Sequence, residues 1–357
     1  MTTVFDLTAF DVPAQTITAT SIGEVLNVLD FAERHAKNGA YVVLMISYEA
    51  APAFDSALVA HTSGNFPLAW AAVFSEPTNL NEIRCNVSSN PWSPAVTKHE
   101  YNESIARIRE LIAKGDTYQV NYSFPLTSSF NGDSLAWYQQ RHQAARYSAY
   151  LDLGRHKVLS LSPELFFERR GDHVVTKPMK GTVQRGCTAD EDAELARWLQ
   201  NSPKNRAENV MIVDLLRNDL GKVSIPGSVH VSSLFDLERF ETVWQMTSTV
   251  ESTLRPRTNL AELMSALFPC GSVTGAPKIR TMEIIRELER FPRGAYTGTI
   301  GLLRPGGDCT FNVAIRTVIL DTETNTATCS VGGGITIDST ADDEYEECLV
   351  KSRFLHG

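Results

Sequence analysis

Apolar residues recur at helical spacing in several segments, and each of these segments begins with a cap or ends at a breaker. Thr97 and Glu100 form a capping-box pair, and the apolar stripe that follows runs from Tyr101 to Ile112 and stops before Gly115. The same signals predict four further helices, over residues 203–218, from residue 259, over 277–288 and over about 340–354.

Between these helices the chain is rich in alternating and β-branched residues, which is typical of strands. The predicted strand segments are residues 157–168, 173–176, 222–231, 295–304, 310–321 and 326–337. The strands come in clusters separated by helices and do not alternate with them one by one. This order favours an antiparallel α+β fold over a parallel βαβ array.

Composition adds limits on partners. The hydrophobic fraction of 43% is that of a globular protein with a large core, and the formal net charge is −9. A negative protein disfavours nucleic acid or an anionic membrane as its main partner. It leaves a small anion possible, because binding of that kind depends on local cations.

The cysteines and the first twenty residues indicate the cellular compartment. The six cysteines, including Cys85, have no metal-type spacing and favour reduced thiols. Residues 1–20 lack the basic and apolar regions of a secretory leader, and no run could span a bilayer, so we expect a cytoplasmic protein. The polar stretch 76–97 predicts a boundary between an N-terminal part, 1–96, and a core, 97–357.

Lys180 is the first candidate for chemistry. Pro178 fixes the backbone before it and Gly181 frees the backbone after it, so the amine would sit on a shaped turn. A lysine becomes a nucleophile when burial or a neighbouring cation lowers its pKa. A solvated surface charge is the alternative from this segment alone.

Acidic residues supply a second candidate site. Glu344, Glu347 and Lys351 share one face of the last predicted helix, and Glu208 lies on an apolar stripe of the helix from 203. Mg²⁺ shared by Glu208 and Glu347 would satisfy both carboxylates. A salt bridge from Glu208 to Arg206, Arg217 or Lys351 is the competing interpretation, and acids near a helix N-terminus are also ordinary.

Two glycine-rich segments could bring backbone close to a ligand. Residues 271–278, which include Ser272, lack a lysine directly after the second glycine and so fail the nucleotide phosphate-loop pattern, yet they open a helix and suit an anion. Gly332, Gly333 and Gly334 follow a strand segment. A flexible turn is the alternative for both.

Taken together, these segments resemble the chorismate-utilising enzymes, which comprise anthranilate, aminodeoxychorismate, isochorismate and salicylate synthases. The resemblance extends from about Tyr101 to Phe354. It rests on residues 116–121, 176–182, 207–219, 275–278, 293–298, 315–317 and 332–351.

The resemblance implies one α+β unit of two large antiparallel β layers flanked by helices, with chorismate and Mg²⁺ in a cleft between the layers. By motif, the metal ligands would be Glu208, Glu344 and Glu347. The substrate contacts implied in the same way are Thr182, Gln245, Ser272, Tyr296, Arg316, Gly332, Gly334 and Lys351.

Two positions select the chemistry within the family. Isochorismate and salicylate synthases carry a lysine base where this chain has Gln119, so the resemblance favours an amine nucleophile over water. Anthranilate synthases carry alanine where this chain has Lys180, and a histidine where it has Gln245. The implied reaction is amination of chorismate at C4 through a covalent Lys180 adduct, giving 4-amino-4-deoxychorismate for 4-aminobenzoate and folate.

The chain shows no glutaminase nucleophile, since none of its cysteines lies in a nucleophile-elbow pattern. We therefore expect ammonia from a separate glutamine amidotransferase subunit, and a separate lyase to complete 4-aminobenzoate. Anthranilate synthesis is the alternative within the family. A non-catalytic chorismate sensor is the alternative outside catalysis.

Overall fold

The computed structural model describes residues 2–80, 88–240 and 243–356. Its strands, in chain order, are β1 Thr3–Phe5, β2 Thr8–Phe10, β3 Gln15–Ala19, β4 Tyr41–Ile46, β5 Ala69–Phe74, β6 Ser88–Ser89, β7 Ser93–Pro94, β8 Gln119–Asn131, β9 Ala149–Asp152, β10 His156–Ser160, β11 Leu165–Arg170, β12 His173–Lys177, β13 Met179–Gln184, β14 His230–Arg239, β15 Val243–Thr253, β16 Gly275–Ala276, β17 Thr299–Leu303, β18 Cys309–Val313, β19 Thr317–Asp321 and β20 Thr326–Ile335.

The α-helices are α1 Ile22–Lys37, α2 Lys98–Ala113, α3 Ser134–Gln139, α4 Ala189–Asn201, α5 Pro203–Gly221, α6 Leu260–Leu267, α7 Lys278–Leu288 and α8 Ala341–Lys351. Several begin at the predicted caps. Thr97 accepts the Glu100 N–H at 3.2 Å, and Asn259 accepts the Glu262 N–H at 2.8 Å.

The strands form two large antiparallel sheets, which confirms the predicted fold class. One sheet runs in the order β16, β8, β20, β19, β10, β9, β1, β2, and the other in the order β13, β15, β12, β11, β18, β17, β4, β5, β3. Strands from the N-terminal part are members of both sheets, since β1 pairs with β9 and β4 pairs with β17.

The longest strand pair, β8 with β20, separates an apolar face from a polar one. Tyr122 and Phe124 of β8 contact Tyr101 of α2, and Phe124 stacks on Tyr345 of α8. Because side chains alternate along a strand, the residues between these aromatics point to the opposite face. The functional candidates lie on that side, where Gly334 pairs with Asn121.

One predicted strand is wrong in its position. Residues 222–231 read as β-rich, but α5 continues to Gly221, the Ser224 hydroxyl donates to the Leu220 carbonyl at 2.7 Å, and the strand begins only at His230. The turn at Gly227 has φ of +83°, a conformation that glycine adopts without strain. The pattern also missed α1 and α4.

Other expectations have simpler outcomes. The described cysteines Cys187, Cys270, Cys309, Cys329 and Cys348 are free, and Cys85 lies outside the described residues. No helix in the described ranges has the length and apolar character needed to cross a membrane. The boundary near residue 96 stays a prediction, because part of the polar stretch 76–97 also falls outside the described residues.

Candidate active site

Lys180, Gln119 and Gly334 meet where the two sheets come together. A methyl group placed on Gly334 would lie 2.6 Å from Gln119 Nε2 and 3.3 Å from Lys180 Nζ. The glycine therefore leaves room beside the amine and the amide that a side chain would fill. Three residues that the sequence marked in separate motifs occupy one small volume.

The side-chain amide of Gln119 lies in the protein interior without a hydrogen bond to the described residues. Its side chain is fully buried, and neither its Oε1 nor its Nε2 has a hydrogen-bond partner among the described residues. The backbone there is held by β16, where Ala276 pairs with Gln119 and Gly275 pairs with Val120. Because an unsatisfied buried amide is costly, this side chain is well suited to bind a polar ligand.

Burial shifts Lys180 toward the neutral amine, whereas most of its charged neighbours favour the charged form. Burial lowers its pKa, and the positive charge of Lys351 lowers it further, against the opposing carboxylates of Glu208, Glu164 and Glu347. The direction of this shift is the one that a lysine nucleophile requires.

Glu164 is a candidate that the sequence analysis missed. It lies in the loop between β10 and β11, is 4% exposed, and accepts a hydrogen bond from the Ser272 hydroxyl at 2.8 Å. Burial raises its pKa to about 7, although the Ser272 hydroxyl and the Lys180 charge both oppose the rise. A carboxyl group that is partly protonated near neutral pH beside an amine can act as a general acid or base.

The sequence did contain a signal for Glu164. It is the one charged residue in the otherwise apolar or hydroxyl-bearing run 158–167. A carboxylate inside such an apolar segment needs a partner or a function. Its partner Ser272 was predicted as a site residue, but the two are 108 positions apart and no local pattern connects them.

Helix α8 brings acids and an amine to the glycine segment of β20. Lys351 Nζ contacts Glu347 Oε1 at 2.8 Å and donates to the Gly332 carbonyl at 3.0 Å, while Glu344 accepts from the Ser339 hydroxyl at 2.6 Å. Burial raises the pKa of Glu344, and the like charge of Glu347 adds to the rise.

Among the described residues, Glu208 forms none of the competing salt bridges. Arg206 stacks over the Phe235 ring, Arg217 contacts Asp214 at 2.9 Å, and Lys351 is paired with Glu347. Within the described residues no three His, Cys, Asp or Glu side chains form a cluster that could hold a metal ion. The roles of Glu208, Glu344 and Glu347 as Mg²⁺ ligands stay predictions.

The predicted carboxylate clamp consists of Tyr296 and Arg316. Arg316 follows β18, its backbone has φ of +49°, and the Leu161 N–H donates to its carbonyl at 3.0 Å. Burial lowers the pKa of its guanidinium, and no carboxylate among the described residues forms an ion pair with it. Burial raises the pKa of Tyr296, which keeps its hydroxyl neutral and able to donate.

Thr182 and Gln245 lie opposite each other on neighbouring strands, β13 and β15. The Gln245 side chain is buried, whereas Thr182 is exposed. The described contacts do not join Thr182 to Lys180, so its role as a substrate contact stays a prediction.

The chain matches the chorismate binding enzyme family over residues 77–357, and it belongs to that family. Among its relatives, aminodeoxychorismate synthase component 1 of Klebsiella aerogenes is 43% identical over 271 residues, which cover 75% of this chain and 60% of that protein. Anthranilate synthase component 1 1 of Haloarcula marismortui is 41% identical over 290 residues, which cover 81% of this chain and 59% of that protein.

A solved structure shares the whole architecture. Anthranilate synthase component I from Streptococcus pneumoniae superposes with a TM-score of 0.84 at 25% identity, covering 99% of this chain and 92% of that one. The chain thus spans nearly all of this structural relative, but only about 60% of the length of the curated relatives given above.

Proposed function

We propose that the chain aminates chorismate at C4 with ammonia to give 4-amino-4-deoxychorismate, an intermediate toward 4-aminobenzoate and folate. The observation that carries this proposal is the position of Lys180, whose amine lies beside the unpaired Gln119 amide and the open space at Gly334. Aminodeoxychorismate synthase relatives support it through their similarity to this chain.

The chemistry proceeds in two displacements. The neutral Lys180 amine forms a bond to ring C2, the diene electrons shift, and the C4–O bond breaks while Glu164 gives a proton to the departing hydroxyl, which leaves as water. Ammonia then forms a bond to C4, the electrons shift back, and the C2–N bond breaks. Glu164 takes up a proton from the new ammonium group, and Lys180 returns as a neutral amine.

The substrate is a dianion, and Arg316, which has no carboxylate partner among the described residues, is suited to bind it. Arg316 would bind the enolpyruvyl carboxylate with its planar fork, with the Tyr296 hydroxyl donating to the same group. The Gln119 amide would bind a polar group of the ring. These contacts explain how a protein of formal net charge −9 could bind an anion.

Magnesium is part of this proposal, although the three acids do not form a metal-binding cluster among the described residues. The like charge of Glu347 contributes to the raised pKa of Glu344, and a divalent cation would offset that repulsion. Glu208, Glu344 and Glu347 would hold it, in keeping with the preference of Mg²⁺ for few carboxylates plus water and substrate oxygens. When bound, the ion would supply electrostatic stabilisation of negative charge on chorismate.

The ammonia would come from a separate glutamine amidotransferase subunit, as the words "component 1" in the names of the relatives suggest. The free cysteines agree with a reducing compartment such as the cytoplasm. Anthranilate synthesis is the second candidate, because the Haloarcula relative is 41% identical. An amine nucleophile at position 180 favours the first candidate over it.

Product identification tests this proposal. The purified chain is incubated with chorismate, Mg²⁺ and ammonium, an aminodeoxychorismate lyase is added, and the aromatic product is identified by chromatography and mass. We expect 4-aminobenzoate that depends on both the chain and the lyase. Anthranilate without 4-aminobenzoate would replace this proposal with the second candidate.

A further inference from the structure

Glu49 is a buried acid that lies outside the segment matching the family, yet it contacts that segment directly. It belongs to the short 3₁₀ helix Tyr48–Ala53 and is 2% exposed. Its Oε1 accepts the N–H of Arg293 at 2.7 Å, and its Oε2 accepts the N–H of Gly294 at 2.9 Å. One carboxylate therefore satisfies two successive backbone donors 244 and 245 positions away in sequence.

The turn that Glu49 holds is fastened from its other side by a buried ion pair. Arg293 contacts Glu289 through two hydrogen bonds, of 2.6 and 2.8 Å. The same guanidinium donates to the Asn121 carbonyl at 2.7 Å and to the Val273 carbonyl at 3.0 Å. These carbonyls belong to the strand of Gln119 and to the loop of Ser272, so the turn is tied to two other parts of the site.

The turn leads directly into the proposed carboxylate clamp. The Tyr296 N–H donates to the Arg293 carbonyl at 3.1 Å, and the Tyr48 N–H donates to the Gly294 carbonyl at 2.9 Å. Thr297, the next residue, has φ of +59°, which costs a β-branched residue free energy and must be held by its surroundings. The position of Tyr296 thus depends on the contacts made by residues 48 and 49.

We propose that Glu49 is a positioning residue for chorismate, which fixes the Arg293–Gly294 turn and thereby sets Tyr296 against the substrate carboxylate. This inference rests on the proposed function for the identity of the substrate. It makes the N-terminal part a component of substrate binding.

The charge state of Glu49 decides how well it holds the turn. Burial raises its pKa to about 7, against the two backbone hydrogen bonds and the Arg293 charge. The other titratable groups facing this cluster are Glu289, Tyr48 and Tyr296, with the His61 ring 2.8 Å from the Glu289 carbonyl. The ionised carboxylate of Glu49 accepts one N–H group on each oxygen. A protonated carboxyl carries a hydrogen on one oxygen, and this hydrogen would face one of the two N–H donors.

The test compares Glu49→Gln with the parent chain in a direct chorismate-binding titration from pH 6 to pH 8.5, with Lys180→Ala present in every chain so that no covalent adduct forms. Glutamine keeps the shape but turns an N–H₂ group toward one of the two donors. We expect the dissociation constant of the parent to rise as pH falls through about 7. The variant should bind about tenfold more weakly at pH 8, as one lost buried hydrogen bond implies, and should show no such pH dependence.

Two controls separate positioning from a general loss of structure. Asp55→Asn changes an acid six positions along the chain whose side chain, among the described residues, accepts only the Ala57 N–H, at 2.9 Å, and it should leave binding unchanged. Glu49→Asp keeps the charge and should retain the pH dependence, which keeps the inference testable if Glu49→Gln does not fold. Identical pH profiles for the parent and Glu49→Gln, or a pH-independent parent, would overturn the inference.

The titration also distinguishes this inference from the proposed function. It contains chorismate but no ammonia, so it gives a result whichever product the chain forms. A chain that makes anthranilate but shows the expected binding profile would refute the amination proposal and leave the role of Glu49 standing.

Discussion

At the scale of single residues, the site combines groups whose protonation states are set by burial and by each other. Lys180 is pushed toward the neutral form, and Glu164 is pushed toward the protonated form. Sequence motifs identified Lys180 and Gln119 because their neighbours are distinctive. They missed Glu164, since its significance depends on Ser272 and Lys180, which are brought to it only by folding.

We expect Glu164→Gln to slow adduct formation and to change its dependence on pH. Glu164 donates its proton only below its pKa of about 7, so the single-turnover rate of adduct formation in the parent should fall above that pH. The variant should lose that descending limb and react about 100-fold more slowly at pH 6.5, with chorismate affinity little changed. Rapid-quench kinetics across this pH range measure both effects.

If Glu164→Gln keeps the fall in rate above pH 7, the group that titrates there is not Glu164. Ser272→Ala is the matched control. It removes the hydrogen bond that lowers the pKa of Glu164, so it should shift the limb to higher pH without abolishing it.

At the scale of elements, strand and helix ends position the candidates. The amphipathic stripes and capping boxes predicted α2, α5, α6 and α8 well, because those signals lie within a few residues of each other. The error at residues 222–231 arose because the turn that follows α5 contains alternating apolar residues, as a strand does. The glycines of β20 suggested that its backbone approaches another group closely. That this group belongs to β8 could be learned only from the register of the sheet.

We expect Gly334→Ala to weaken the use of chorismate by filling the space beside Gln119 and Lys180. The added methyl group would lie 2.6 Å from Gln119 Nε2 and 3.3 Å from Lys180 Nζ, so both side chains must move. We expect the KM for chorismate to rise at least about tenfold, while the melting temperature falls by only a few degrees, because the obstacles are side-chain ends and not backbone. Steady-state kinetics and thermal melting provide the two values.

Gly23→Ala is the control for this substitution, because it adds a methyl group in α1 where nothing lies within 4 Å. It should leave the KM unchanged. Parent-like kinetics in Gly334→Ala would show that the space beside Gln119 and Lys180 is not used by the substrate.

At the scale of the whole molecule, two antiparallel sheets hold residues from distant parts of the chain in one site. The order of strand clusters and helices was sufficient to predict the α+β class. It could not predict that strands from the N-terminal part complete both sheets, or that Glu49 would contact Arg293, since contacts across more than two hundred residues leave no periodic trace. The function of the molecule therefore depends most on what Lys180 does once the fold has placed it.

The most direct measurement of that claim is intact-protein mass spectrometry after mixing the chain with chorismate and Mg²⁺ in the absence of ammonia. We expect a species heavier by chorismate less one water, which peptide sequencing maps to Lys180 and which disappears when ammonium is added. Lys180→Ala should show no adduct. Lys177→Ala is the matched control: it removes a lysine of the preceding strand, β12, that forms a salt bridge with Glu238, and this variant should form the adduct normally. An unmodified parent chain, or the same mass increase on Lys180→Ala, would contradict a covalent role for Lys180.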